Sequence, residues 1–333
     1  MAEIGSSNSP PQPRTVQLYP LTVGHAVRPE EASGRTVGGF VDGLLAEAGI
    51  EPKDRDVLVV SSKIASFFES GCMVRLGDVV PSRKARVIGR LFGKDPRKVQ
   101  LVLEQGSVFL VIPIKRILLM SSVRRMLDSR SANPEAMHKG FAGINGYTFV
   151  VRNHATYLDE AGIDHTNSPD DYVSLLPRDP CETARRIREE LRERRRVDVA
   201  VIVSDTVTSV GRLGSQDMAI GYAGIDPITR VHFSDDLFGI PRGGGIDIVI
   251  DSIAGMAGLL MGQTTERRPA VLVRGLDCAP ERDDEDGGMA VVAMPPGSLG
   301  RIAVHAVLAT AWFKLCSLLA LQRTPRRPDV RRQ

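Results

Sequence analysis

The sequence predicts an α+β fold, because strand-like and helix-like segments interleave along it without a regular β-α-β rhythm. Two short apolar runs rich in β-branched residues, Asp56–Ser62 and Asp198–Ser204, are typical of buried strands. Asp179–Glu193 begins with an Asp-Pro pair and carries its apolar residues on one side, which is typical of a helix packed on a core. The chain has 333 residues, enough for one large domain or two of ordinary size.

The segments before residue 105 continue this interleaving. Residues 1–16 are polar and rich in Pro and Ser, and they predict a disordered leader without the apolar core of a signal peptide. Val16–Val23 predicts a strand. The apolar spacing of Pro29–Ala48, Ser82–Leu91 and Lys94–Leu103 predicts three helices.

The later segments are less regular. Residues 121–145 are polar and predict a mobile loop or an insertion. Ile246–Met261 predicts a short strand followed by a long helix, and Ala270–Arg274 predicts a last core strand. The acidic, Gly-rich Asp277–Gly288 predicts a linker to a C-terminal helix over Ile302–Gln322.

Charge and composition exclude several classes of protein. The formal net charge of +3 arises from Arg323–Gln333, with five Arg and one Asp, since the other residues comprise 38 basic and 39 acidic ones. We therefore expect no nucleic-acid-binding face. His305 and Lys314 interrupt the apolar C-terminal segment, and a charge near a bilayer centre costs about 3 kcal/mol, so we expect no membrane partner. The four cysteines are dispersed without a CxxC spacing, which favours free thiols in a reducing cytoplasm.

Three polar segments stand out from their apolar surroundings: Asp159–Asn167, Ser204–Thr206 and Gly211–Gly224. Carboxylate, hydroxyl and amide oxygens suit hard cations such as Mg²⁺ or Mn²⁺. Glycine-rich stretches let backbone N–H groups approach a phosphate closely. Together the segments indicate a metal and phosphate site.

Each of these residues also has an ordinary structural interpretation. Asp164 could form an Asx-turn, and Asp205 could cap the following segment. Lys63, after an apolar strand, could be a solvated charge, and His154 has no obvious partner for a catalytic dyad. Gly211–Gly224 contains neither a Walker A sequence nor GxGxxG. The residues alone leave these alternatives open.

Eight motifs follow one another in a distinctive order: SSKI, KDPRKVQLVL, AGIDHTN, LLPRDPCETARRIREEL, VDVAVIVSDT, GRLGSQDMAIGYAGI, LLMGQ and AVLVRG. In this order they resemble the coenzyme F420-0:γ-glutamyl ligase family, in register from about residue 17 to 275. The resemblance implies an intertwined homodimer with a mixed-sheet α+β fold. It also implies an amide ligase that joins the carboxylate of a lactyl-phospho-deazaflavin to the amine of L-glutamate, using GTP and divalent metal ions.

The resemblance also assigns roles to individual residues. The implied ligands of Mg²⁺ or Mn²⁺, for two ions, are Asp164, Asp205, Thr206 and Gln263. The implied nucleotide- or substrate-binding residues are Lys63, Glu69, Asn167, Arg212 and Gln216. The implied catalytic residues are Lys63, His154 and Arg212, with His154 or Glu69 as the base that deprotonates the amine.

Three departures from the family motifs fall in segments expected to contact substrates. Phe67 replaces a second lysine after the first strand motif, and Asp159 and Glu160 replace an Ala-Asn pair before AGID. The stretch before Gln216 lacks the family's tryptophan. These departures motivate a first alternative, an amide ligase acting on another acid and amine in a specialised biosynthetic pathway. A second alternative is a catalytically silent homologue that recruits a partner through its C-terminal helix and Arg-rich tail.

The sequence is therefore interpreted as a leader (1–16), a ligase-like catalytic domain (17–275) and an extension (276–333) of acidic linker, helix and Arg-rich tail. The expected reaction is NTP-dependent amide formation through an acyl phosphate, with GTP or ATP as cosubstrate. The expected partners are a small-molecule acid, an amino acid and a second copy of the chain, and the expected location is the cytoplasm.

Overall fold

A computed structural model describes residues 15–143, 146–153, 156–169, 171–208, 214–231, 233–241, 243, 245–278, 280, 288–295 and 297–319. Nearly all of the predicted leader, most of the predicted acidic linker and the Arg-rich tail lie outside these residues. The chain divides into two compact units, Met1–Val292 and Ala293–Gln333.

The strands of the described residues are β1 (Gln17–Leu21), β2 (Val57–Ser61), β3 (Met73–Arg75), β4 (Ser107–Ile112), β5 (Thr148–Asn153), β6 (Thr156–Asp159), β7 (Tyr172–Ser174), β8 (Ala200–Thr208), β9 (Ser215–Ala223) and β10 (Ala270–Arg274). The helices are α1 (Pro29–Ala32), α2 (Val37–Glu47), α3 (Ser62–Phe68), α4 (Arg83–Phe92), α5 (Pro96–Gln105), α6 (Ile114–Leu118), α7 (Ser121–Asp128), α8 (Pro134–Gly143), α9 (Pro180–Arg195), α10 (Val249–Met261) and α11 (Ser298–Leu319).

The first unit is built on a five-stranded sheet with the order β1-β10-β2-β8-β9. β2 and β8 run parallel, whereas the other neighbouring pairs are antiparallel, so the sheet is mixed. A two-stranded sheet (β3-β7) and a three-stranded sheet (β4-β5-β6) accompany it. The predicted α+β class, mixed sheet and C-terminal helix are confirmed.

The central sheet is covered on both faces, which explains its continuous apolar strands. In β2, Leu58 and Val60 face a core that includes residues of α2 and α9. Val57 and Val59 alternate with them and face the core beneath α10. Alternation along a strand thus divides one β-branched run between two cores.

The smaller three-stranded sheet packs with the hairpin of α4 and α5. Ser82 caps α4 by accepting a hydrogen bond from the backbone of Ala85, and Asp95 caps α5 in the same manner. Gly93 ends α4 in the left-handed conformation, with φ 64°. Strand β6 of this sheet leads into the AGID motif.

Three expectations from the sequence need correction. Residues 121–143 contain α7 and α8, so their polar character reflects helices with exposed faces and not a loop. Strand β8 continues to Thr208 by pairing with β9, so Asp205 and Thr206 lie within a strand and Asp205 caps no helix. The single helix predicted over Pro29–Ala48 is divided near Gly34, which has φ 72°.

The second unit contains α11. Across the part of the chain that the structure describes, α11 included, no helix is both long enough and apolar enough to cross a lipid bilayer.

Candidate active site

A cavity of about 550 Å³ opens beside the β2–α3 junction. Its walls come from the loop after β1, the first turn of α3, the AGID segment, strands β8 and β9, and the loop after α10. Among the residues that line it are Arg28, Ser62, Lys63, Phe67, Asp164, Asn167, Asp205, Thr206, Asp217, Gln263, Arg267 and Arg268. One cavity therefore combines carboxylates, neutral oxygen donors and cationic side chains.

Lys63 enters the cavity from the first turn of α3. Ser61 begins that helix by accepting a hydrogen bond from the backbone N–H of Ile64, which fixes the direction in which Lys63 leaves the strand. The Lys63 ammonium lies 2.8 Å from Asp164 Oδ2 and donates to Ser174 Oγ at 2.7 Å. Only about a quarter (23%) of the Lys63 side chain is exposed, so the ammonium is a largely enclosed cation.

The turn before Asp164 has an unusual backbone. Glu160, Ala161 and Gly162 have φ of 50°, 62° and 74°, in the left-handed region that favours glycine. Glu160 is held there because Oε1 accepts the backbone N–H of Phe149 at 3.0 Å and the ammonium of Lys94 at 2.7 Å. The side chain of Lys94 is almost fully buried. Its ion pair with Glu160 therefore neutralises the carboxylate inside the fold.

The carboxylate of Asp164 contacts two neighbours, Lys63 and Thr166. Its Oδ1 accepts the backbone N–H of Thr166 at 2.8 Å, which is the Asx-turn that the sequence allowed. Burial alone would raise the pKa of this carboxyl, but hydrogen bonds from Lys63 and Thr166 outweigh it and lower the pKa below its ordinary value. Asp164 is therefore ionised and faces the cavity at neutral pH.

Asp205 lies close enough to Lys63 and Asp164 for both charges to act on its carboxyl. Its Oδ1 accepts a hydrogen bond of 2.7 Å from Ser62 Oγ. Burial raises its pKa to about 6, and the nearby charge of Asp164 adds to the increase. A carboxylate that is this strongly desolvated is stabilised by any cation that enters the cavity.

Thr206, Asp217 and Gln263 form a third polar group. Asp217 Oδ1 accepts from Thr206 Oγ1 at 2.8 Å and from Gln263 Nε2 at 3.1 Å. The sequence showed Asp217 within a polar segment but gave it no role. The pairing of β8 with β9 places it directly opposite Thr206, and only a correct register for that hairpin could have indicated this.

Basic side chains also line the cavity. Arg28, Arg267 and Arg268 lie there together with His25 and the acidic Glu266. Arg267 donates to the backbone carbonyl of Gly24 at 2.5 Å, and its own carbonyl accepts from Val23, so the loops after β1 and α10 are joined here. A cavity lined by both arginines and carboxylates suits an anionic ligand that arrives with a cation.

Comparisons with known proteins identify the family. The profile of the family described as F420-0:Gamma-glutamyl ligase matches residues 32–275. The chain belongs to the F420-0:gamma-glutamyl ligase family.

Curated relatives cover most of the chain. The coenzyme F420:L-glutamate ligase of Methanopyrus kandleri is 31% identical over 268 residues, which are 80% of this chain and 90% of the relative. The enzyme of the same name from Methanothermobacter thermautotrophicus is 29% identical over 80% of this chain and 92% of its own length. This member of the ligase family is accordingly an enzyme that forms amide bonds, and the silent-scaffold alternative is not favoured.

Some of the site residues predicted from the family resemblance line the cavity, and others do not. Lys63, Asp164, Asn167, Asp205, Thr206 and Gln263 line the cavity. Glu69 and Gln216 are absent from the described lining. The carboxylate of Glu69 instead accepts from the backbone of Arg178 and the hydroxyl of Thr183. His154 and Arg212 lie outside the described residues.

The donor set of this ligase-family cavity fits a hard cation. All candidate donors are oxygens of carboxylate, hydroxyl and amide groups, the set that Mg²⁺ and Mn²⁺ prefer. Within the described ranges, no three side chains of His, Cys, Asp or Glu converge closely enough to hold a metal ion. A cation here would therefore depend on Thr206 and Gln263 as much as on the carboxylates.

Proposed function

We propose that this chain is a nucleotide-dependent amide ligase of coenzyme F420 biosynthesis. It would join the amine of L-glutamate to the carboxylate of an F420-type deazaflavin, with GTP or ATP as cosubstrate. The relatives' names supply the substrates. The observation that carries the proposal is the convergence of Lys63, Asp164, Asp205, Thr206 and Gln263 on one cavity.

The proposed reaction has two steps. A carboxylate oxygen of the deazaflavin attacks the γ-phosphorus of the nucleotide, and the nucleoside diphosphate leaves, which yields an acyl phosphate. The amine nitrogen of glutamate then attacks the acyl carbon, inorganic phosphate leaves, and a base accepts the amine proton. Both steps move negative charge that the site must stabilise.

The side chains of the cavity divide this work. Lys63 lies deep in the cavity and neutralises charge on the transferred phosphoryl group, while Arg28, Arg267 and Arg268 bind anionic groups. Asp164, Asp205, Thr206 and Gln263 would hold two Mg²⁺ or Mn²⁺ ions, which supply electrostatic stabilisation of the phosphates when bound. Asn167 would contribute polar contacts to nucleotide or substrate.

Two proposed catalytic residues rest on the family motifs alone. His154 and Arg212 remain the predicted base and phosphate-binding residue. Glu69 was the other candidate base, but its carboxylate accepts hydrogen bonds from Arg178 and Thr183 outside the cavity lining. His154 is therefore the base that we propose. Gln216 stays a predicted substrate contact.

The assembly and location follow the same reasoning. We propose a homodimer in the cytoplasm, with residues 17–275 as the catalytic domain, because the family resemblance implies an intertwined pair. Within the described residues, Cys72, Cys181 and Cys278 are free cysteines, which agrees with a reducing compartment.

The proposal is tested by incubating the protein with Mn²⁺ or Mg²⁺, GTP or ATP, L-glutamate and the deazaflavin acid. We expect phosphate release that requires both the acid and the amine. Asp205→Ala should abolish it, whereas Asp198→Ala, which removes a carboxylate paired with Arg188 away from the cavity, should not. Full turnover by Asp205→Ala would contradict the metal assignment. Turnover only with another acid and amine would reveal a different substrate.

A further inference from the structure

We propose that Asp217 is a positioning residue that turns the oxygens of Thr206 and Gln263 toward the cation site. This inference rests on the proposed function, because it assumes that these two side chains are cation ligands. Asp217 itself would touch neither substrate nor cation.

The sheet register brings Asp217 to this place. In the antiparallel pair of β8 and β9, Asp217 is the direct partner of Thr206, so the two side chains leave the same face of the sheet. Gln263 reaches the same point from the loop that follows α10. The carboxylate is only 9% exposed and lies between the sheet and α10.

Hydrogen-bond chemistry then fixes the orientation of both neighbours. The hydroxyl of Thr206 has two acceptors within reach, Asp217 Oδ1 at 2.8 Å and Gln263 Oε1 at 3.1 Å. Its single proton goes to Asp217 Oδ1, because this acceptor is nearer and carries a negative charge. The same oxygen accepts from Gln263 Nε2 at 3.1 Å. If the amide of Gln263 were turned over, its carbonyl oxygen would face the carboxylate without an intervening proton. Asp217 therefore selects one hydroxyl rotamer and one amide orientation.

The result is a pair of oxygens with free lone pairs. Thr206 Oγ1 and Gln263 Oε1 lie 3.1 Å apart, with the protons of both residues directed at Asp217. Neighbouring oxygens around an octahedral cation with bonds of 2.0–2.1 Å are separated by about 2.9 Å. The two oxygens are thus spaced as adjacent ligands of one Mg²⁺ or Mn²⁺ ion would be.

Helix α10 approaches this carboxylate closely at Gly258. A Cβ added at Gly258 would lie 2.6 Å from Asp217 Cγ, so any larger residue would displace the side chain or the helix. At Gly255, one turn earlier, an added Cβ would meet nothing closer than 3.8 Å. The narrow fit at Gly258 keeps Asp217 against Thr206 and Gln263.

The hydrogen-bond partners of Asp217 also support a positioning role. Asp217 has no ion-pair partner among the described residues, and its two hydrogen bonds come from the neutral side chains of Thr206 and Gln263. Outer partners that orient metal ligands in this manner change metal affinity by about 10- to 100-fold when they are removed.

The test is the affinity of the full-length protein for Mn²⁺, measured by calorimetry without nucleotide or substrate. We expect Asp217→Ala to weaken binding by about 10- to 100-fold. Asp217→Asn keeps an oxygen acceptor for both donors, so it should restore most of the affinity. In a Thr206→Val/Gln263→Ala background, Asp217→Ala should cause no further loss, because the residues it positions are gone.

Three further variants guard against a simple folding defect. Asp251→Ala removes a half-buried carboxylate at the same β9–α10 contact, where it accepts the backbone N–H of Ala219, and should leave Mn²⁺ affinity unchanged. Gly258→Ala keeps Asp217 but displaces it, and should weaken Mn²⁺ binding, whereas Gly255→Ala should not.

Four outcomes would overturn the proposal. Unchanged affinity in folded Asp217→Ala would show that Asp217 positions nothing. A further loss in the Thr206→Val/Gln263→Ala background, or an Asp217→Asn variant as weak as Asp217→Ala, would make Asp217 a direct ligand or a simple charge. Wild-type protein that binds no Mn²⁺ would refute the proposed metal-dependent function as well, so the two failures are distinguishable.

Discussion

At the scale of single residues, the central feature is an enclosed lysine near two carboxyl groups whose pKa values are shifted in opposite directions. Lys63 contacts Asp164 directly, and its ammonium is part of the reason that the pKa of Asp164 is lowered. Asp205, bonded to Ser62, is dominated by burial, which raises its pKa to about 6. One cation thus does not neutralise the floor of the cavity, which therefore attracts further cations.

Lys63→Met tests the role of that lysine. Because the change removes a charge aimed at the transferred phosphoryl group, we expect turnover to fall by about 100-fold or more. The measurement is the rate of phosphate release, with circular dichroism to verify folding. Arg188→Met, which breaks the Arg188–Asp198 pair away from the cavity, is the control and should keep turnover near the wild-type rate. Equal activity of both variants would remove Lys63 from the mechanism.

The carboxyl of Asp251 should make the free energy of unfolding depend on pH. Burial raises the pKa of this carboxyl, so its contribution to stability is present below the unfolded-state value of about 3.9 and is lost as the pH rises through the folded-state pKa. Asp251→Asn should therefore increase the free energy of unfolding at pH 7 relative to wild type and have little effect near pH 3. Denaturant unfolding at both pH values measures this. A variant that is less stable at pH 7 would contradict it.

At the scale of elements, the left-handed turn before Asp164 depends on an ion pair from a distant helix hairpin. Lys94 follows α4, and its ammonium also lies 4.9 Å from the centre of the Phe149 ring. The ammonium of Lys94 binds the carboxylate of Glu160. This contact stabilises the turn that directs Asp164 into the cavity. Glu160 replaces a neutral residue of the family motif, and Lys94 neutralises the charge that this replacement introduces.

Lys94→Met should show how much this turn depends on the pair. Removing one partner of a largely buried pair leaves an uncompensated charge, and we expect a loss of about 3 kcal/mol in the free energy of unfolding. Arg97→Met breaks the neighbouring, more exposed pair with Asp95 and should cost less than about 1 kcal/mol. Chemical denaturation of both variants measures the difference. Similar losses in the two variants would mean that burial of Lys94 does not increase the contribution of its ion pair to stability.

Much of the fold could be predicted from the sequence, because its core strands carry their pattern locally. The β-branched runs of β2 and β8 and the Asp-Pro start of α9 identified these elements directly. The position of Asp217 could not be predicted, since it depends on the register between two strands. The partner of Glu160 lies 66 residues away, so no local pattern reveals that its charge is neutralised.

At the scale of the whole molecule, the cavity joins segments from the loop after β1 to the loop after α10. Its lining lies within residues 23–269, almost all of it inside the segment 32–275 that matches the ligase family. A cation bound there would contact β8, the AGID segment and the loop after α10 at once. Binding should therefore stabilise the first unit as a whole.

Addition of Mn²⁺ should consequently raise thermal and chemical stability. At a free Mn²⁺ concentration 100 times its Kd, we expect the free energy of unfolding to increase by about 2.7 kcal/mol. Chelation with EDTA should reverse the increase, and Asp205→Ala should abolish it. An equal increase in Asp205→Ala would place the cation elsewhere.

The most direct test of the central claim is mass spectrometry of a complete reaction. Wild-type protein, Mn²⁺, GTP or ATP, L-glutamate and the deazaflavin acid should yield the acid enlarged by one or more glutamyl residues. One nucleoside diphosphate and one phosphate should form for each residue added. An unchanged acid and intact nucleotide, with a folded protein that has bound Mn²⁺, would contradict the claim.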